Sequence, residues 1–173
     1  MTGEERREKE EENVRKRVSA LSAFLDVLED ALGRRFNLKD VEERLLLQKY
    51  VYIARLFGFD LGYHFNFFIY GPFSEELAQD LRKLKHYRLE PHPEYASSFK
   101  AYHFKKLVKE KDEHWITLAA TIVFTAEKNP EITMGELADR VAKLTKCTVD
   151  QVIHTYDEVK EYEKIRKEHS LGM

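Results

Sequence analysis

Seven histidines, one cysteine and a dense set of carboxylates are the groups in this 173-residue chain able to ligate a metal, attack a substrate or move a proton. Metal ligation needs imidazoles and carboxylates at turn-related spacings, as in HExxH, or cysteines two residues apart. His64, His86, His92, His103, His114, His154 and His169 show no such pairing, and Cys147 has no CxxC partner. No metal and no cofactor is therefore expected. A nucleophile elbow, a Walker loop and a dinucleotide fingerprint all require glycines at fixed offsets, whereas Gly58 and Gly62 read as a helix end and a turn. No pair of carboxylates stands in an apolar setting that would raise a pKa for acid–base work. No catalytic residue is assigned, and the chain reads as a binding protein, not an enzyme.

Two stretches carry binding chemistry. Phe68, Tyr70 and Phe73 surround the rigid corner Gly71-Pro72. Aromatic rings of this kind bury much area with few rotors and are enriched at interface hot spots. A strand in a small sheet buries one face, here Phe65, Phe67 and Ile69, which leaves Phe68, Tyr70 and Phe73 to be covered by another helix or by a protein partner. The other stretch is the basic group Arg82, Lys83, Lys85 and Arg88, interleaved with His86 and Tyr87. Such a patch suits a phosphate backbone, although the more ordinary reading is a solvated helix end where cations complement the dipole. With 29 Lys and Arg against 31 Asp and Glu, the chain has no global field that would draw it to nucleic acid.

The elements that must position these residues follow from periodicity. Asp40 and Glu43 have capping-box spacing, so a helix begins near Val41. Leu45, Leu46, Leu47, Tyr50, Val51, Ile53, Ala54, Leu56 and Phe57 then put apolar groups on nearly every side, the pattern of a helix surrounded by others. Gly58 ends it, with Phe59 folding back on the last turn. Over 63–70 the period becomes two, which predicts a strand that Gly71 and Pro72 break. Ser74 caps a helix over 75–86 with Leu77, Leu81 and Leu84 inward.

LQKYVYIARLFG, the aromatic-rich span and YGPFSEELAQDL together resemble the uncharacterised prokaryotic YwgA-like family, and more distantly the Panacea or SocA-like antitoxin domain. The residues carrying the resemblance are Gln48, Lys49, Tyr52, Tyr70, Gly71 and Pro72. It implies an antitoxin-like role in which the chain neutralises or presents a protein partner.

Upstream, residues 1–12 form a charged extension. Val14, Val18, Leu21, Leu25, Leu28 and Leu32 repeat as a heptad seam along a helix over 13–32, widened by Phe24, Val27 and Ala31. The seam suits pairing with a second copy as a homodimer, and its widened half suits burial within the chain. Downstream, Pro91 and Pro93 predict an irregular loop ending near Lys100, with a short strand near 99–104. Asp112 opens a helix carrying Trp115, Leu118, Ala119, Ile122, Val123 and Ala126, stopped by Asn129 and Pro130. Thr133 with Glu136 and Thr148 with Gln151 cap a helix pair over 133–167 that presents Leu137, Val141 and Leu144, then Val149, Val152, Ile153, Tyr156 and Val159. The pair invites a helix-turn-helix reading, but KLTKCT is long for that turn, and Asp150, Asp157 and Glu158 would repel phosphate.

The expected fold is mostly α: a single compact helical domain over 1–173, with about six helices and a small β element near 63–70. No apolar run approaches the length of about 18 residues that spans a bilayer, so no membrane partner is expected. One cysteine excludes a disulfide framework, and the charged N-terminus lacks a secretory core, so the expected location is cytoplasmic.

Overall fold

The computed structural model describes residues 1–68, 71–84 and 98–171, with side chains placed as far as Lys164. Among these residues the chain is mostly helical, with seven α-helices and one two-stranded antiparallel sheet. The long N-terminal helix α1, Gly3–Leu32, starts at a Thr2–Glu5 capping box and ends at Gly33 in the left-handed conformation. Its charged first turns are exposed through Asn13. Val18, Leu21, Phe24, Leu25 and Leu28 are buried, and Val14 and Leu32 are half-buried at the ends of the same stripe. The middle of the heptad seam is thus occupied by the chain's own core.

Helix α2, Val41–Ala54, is the most enclosed element: residues 46–54 are buried without a break. The predicted capping box is only half formed. Asp40 accepts from the Glu42 N–H at 2.9 Å, while the Glu43 carboxylate turns to Arg34. An ion pair outcompetes a backbone N–H for that side chain. A 3-10 turn, Arg55–Phe57, tightens the end before Gly58, whose φ of 89° is left-handed. The Phe59 N–H then returns to the Ala54 carbonyl at 3.1 Å, and its ring stacks on Phe24 at 4.7 Å.

The strand predicted over 63–70 is shorter than its alternation implies. Tyr63 and Phe65 are buried but precede β1, Asn66–Phe68; Ile69 and Tyr70 lie outside the described residues. Gly71 and Pro72 do not break the element. They begin its return strand β2, Gly71–Phe73, in the register Asn66↔Phe73, Phe67↔Pro72 and Phe68↔Gly71. In a sheet of two strands every strand is an edge, where a proline's missing N–H is tolerated. Phe67, expected inward, is exposed.

Helix α3, Glu75–Leu84, begins where Ser74 Oγ accepts the Leu77 N–H at 3.3 Å, and it buries Leu77, Leu81 and Leu84 as its spacing predicts. Residues 85–97, which include His86 and both prolines of the predicted loop, lie outside the described residues. The stretch predicted as a second strand is instead helix α4, Ala101–Val108, with Phe104, Leu107 and Val108 buried. Eight residues without a side-chain cap leave little sequence signal for a helix. Helix α5, Glu113–Lys128, is capped by Asp112 at the Trp115 N–H, 2.8 Å, and touches α2, β2 and the last two helices. Those are α6, Met134–Thr145, and α7, Val149–Leu171, opened by the predicted Thr133–Glu136 and Thr148–Gln151 boxes. They form a second buried cluster with α5 through Leu118, Ile122, Leu137, Ala138, Val141 and Val152. Leu144 and Val149, expected inward, are exposed because they flank the turn, where Lys146 takes the left-handed conformation in place of a glycine.

Candidate protein-interaction site

Glutamine in the middle of a buried helix needs partners for both ends of its amide. Gln48 finds them on one residue: its Nε2 donates to the Ser74 carbonyl at 2.8 Å and its Oε1 accepts the Ser74 N–H at 3.0 Å. This two-point clamp fixes the junction between β2 and α3 against α2. Tyr52, one turn later, donates its hydroxyl to Glu127 at 2.9 Å, and Arg55 lies 4.0 Å over its ring. Burial first, and the Glu127 charge next, push the Tyr52 phenol up, so it stays a neutral donor. Its ring meets Phe65 and Phe124, and Phe124 in turn meets Phe67 at 5.7 Å.

On the other side of the hairpin, α5 presents threonines. Thr117, Thr121 and Thr125 each donate to the carbonyl four residues back, at 2.9, 2.9 and 2.8 Å, and Asn129 Nδ2 continues the series to Thr125 at 2.8 Å. The hydroxyl protons are thereby committed to the helix itself. Gly71 sits between Thr121 and Lys49. Its φ of +112° requires glycine, and a Cβ built there would lie 3.7 Å from both Thr121 Oγ1 and Lys49 Cε.

Of the predicted partner-binding residues, Phe68 is 52% exposed and packs its ring 5.5 Å from the half-buried Phe73. Gly71 and Pro72 are buried beneath them, and Tyr70 lies outside the described residues. Phe67, at 44% exposure, is at the surface too, although its place in the alternation assigned it to the core; it lies on the opposite face of the strand from Phe68, against Phe124. It lines a cleft of about 190 Å³ with Gly71, His114, Thr117, Leu118, Thr121, Leu144 and Thr145. Exposed Leu144 therefore extends the same apolar surface.

The basic candidates are arranged differently. Arg82 is exposed and reaches Glu75 at 3.8 Å, and Lys83 shares a groove with Arg7, Glu10, Glu11 and Arg15, so acidic groups accompany both. Lys85 and Arg88 lie outside the described residues.

Two features escape the sequence. His114 Nε2 lies 3.3 Å from Cys147 Sγ, a thiol–imidazole contact between residues 33 positions apart that no local motif announces. Lys49 is buried to 8% exposure, and its only signal was a cation within residues 45–54, where Gln48 is the one other strongly polar side chain. Among the described residues no group of three or more His, Cys, Asp or Glu could hold a metal, and no helix is long and apolar enough to cross a membrane. Comparison with protein-family models, with curated proteins and with solved structures finds no match to this chain.

Proposed function

We propose that the protein is a cytoplasmic interaction module that binds a protein partner through the aromatic hairpin. The observation that carries this reading is the outward placement of Phe67 and Phe68 on a hairpin whose return strand, Gly71–Phe73, is fixed at Ser74 by Gln48. Adjacent large aromatics held rigidly at a surface bind at low ordering cost, and a chain rarely exposes such a patch without use. The resemblance of the Gln48–Lys49–Tyr52 helix and the Gly71-Pro72 corner to the antitoxin domain supports an antitoxin-like role. The test is affinity capture from cell extract with the parent chain, Phe67→Ser and Phe68→Ser, each checked for an unchanged melting temperature, with both proteins and nucleic acid identified in the eluate. A protein recovered by the parent and lost from the folded variants is the expected result. A partner retained by both variants would reject the hairpin as the binding surface. Nucleic acid recovered instead, and lost on Arg82→Glu with Lys83→Glu, would transfer the function to the basic stretch.

A further inference from the structure

Lys49 poses an electrostatic problem. An ammonium in an apolar setting is costly unless an anion or hydrogen-bond acceptor meets it. Lys49 is 8% exposed, yet among the described residues it has no hydrogen-bond or ion-pair partner. Burial pushes its pKa down, opposed only by the charge of Glu113, which is itself engaged by Arg34 at 3.5 Å. A methionine would fill the same volume without that penalty, so the fold gives no reason for the charge.

The side chain runs past Gly71 and lines a crevice whose other walls are Leu45, Phe68, Gly71, Pro72 and Phe73. Apart from Lys49 these walls are apolar or backbone. The crevice holds about 10 Å³, room for one water-sized group. It admits a single oxygen of an anion, and its apolar rim of Leu45, Phe68 and Phe73 favours a singly charged carboxylate over the more strongly hydrated phosphate. One of its walls, the ring of Phe68, is exposed.

We propose that Lys49 anchors one carboxylate side chain, from an Asp or Glu of the protein that docks on the hairpin, with Phe68 and Phe73 closing over the carbon atoms behind it. This rests on the reading of the hairpin as a protein-binding surface. An anion delivered by the partner would satisfy an ammonium that the described residues leave unsatisfied. The charge at the bottom of an apolar crevice would then select an acidic residue flanked by hydrophobic ones.

Phenylacetate and phenylacetamide, equal in size and differing in charge, are suitable probes. Each is titrated into the full chain while the Lys49 Cε and Nζ resonances and the Phe68 and Phe73 ring signals are followed by NMR. The expected result is that phenylacetate shifts all three residues, with a Kd at least tenfold below that of phenylacetamide, and that Lys49→Met erases this preference while melting at the same or a higher temperature. Equal affinity for the two probes, an unmoved Lys49 resonance, or a preference that survives Lys49→Met would overturn the proposal. The resonance test uses the parent chain and stands even if the variant fails to fold. The two readings separate in the capture experiment. A partner lost with Phe68→Ser but kept by Lys49→Met leaves the hairpin surface standing and removes the carboxylate anchor; a partner indifferent to Phe68→Ser removes the surface itself.

Discussion

Single polar residues carry much of the specificity of this fold, and their removal has calculable effects. Gln48→Ala orphans the backbone N–H of Ser74, which is 1% exposed, and leaves its carbonyl with the Ala78 N–H alone. A buried polar group left unsatisfied costs about 1–3 kcal/mol, so a loss of about 2 kcal/mol in urea unfolding is expected. Gln48→Glu should do no better, because it sets a carboxylate oxygen against the Ser74 carbonyl. Glu158 offers a pH-dependent counterpart. Desolvation would raise its pKa, but hydrogen bonds from Lys111 and Trp115 and the charges of Lys111 and His154 bring it below the ordinary carboxylate value. A folded-state pKa that is depressed means stability present above the unfolded value and lost as pH falls through the folded one. Glu158→Gln should therefore lower the urea midpoint fully at pH 7, with the difference shrinking below the ordinary glutamate value of 4.5. The Glu158 side chain was legible only as an acidic group unfriendly to phosphate, since Lys111 and Trp115 are remote in sequence.

At the scale of elements, the joints differ in how closely other backbone approaches them. Gly33 and Gly58 both close helical segments with positive φ, but a Cβ on Gly33 meets nothing within 4 Å, whereas one on Gly58 would fall 2.1 Å from the Ser98 carbonyl oxygen. The segment entering α4 is tied there, with the Lys100 N–H on the Phe57 carbonyl at 2.7 Å. Gly33→Ala should cost about 1 kcal/mol for the left-handed backbone alone, and Gly58→Ala at least about 3 kcal/mol, measured by thermal melting of the two variants side by side. Caps and helix ends were readable in advance because they depend on residues three or four apart: Ser74, Asp112, Thr133 and Thr148 all do what their spacing predicts. The hairpin was half readable. Alternation located its aromatic strand, but the return through Gly71-Pro72 depends on the sheet having only two strands, which period-two patterning cannot reveal. That is also why Phe67 was assigned to the core and Phe68 to the surface, when both face outward.

Across the whole molecule, α1 is held by α3 and α4 through a seam whose middle is fully enclosed. Arg17 and Tyr63 converge on the buried Asp80 at 3.0 and 2.6 Å, locking the same layer. Leu25→Asp should consequently abolish cooperative unfolding instead of splitting an assembly, which circular dichroism and light scattering on the same sample distinguish. The mostly helical architecture was legible because each helix reports its own buried stripe. The meeting of His114 with Cys147, and of Lys49 with Gly71, was not, because tertiary convergence leaves no trace at either position alone. The hairpin's brevity has one more effect. Long hydrophobic sheet edges recruit further strands and seed fibres, and this protein carries two aromatic rings outward on a strand that could in principle do so. With only Asn66–Phe68 in that strand, the ladder it can extend is a few bonds long. Its stickiness is therefore confined to side chains and withheld from the backbone, which would template further strands.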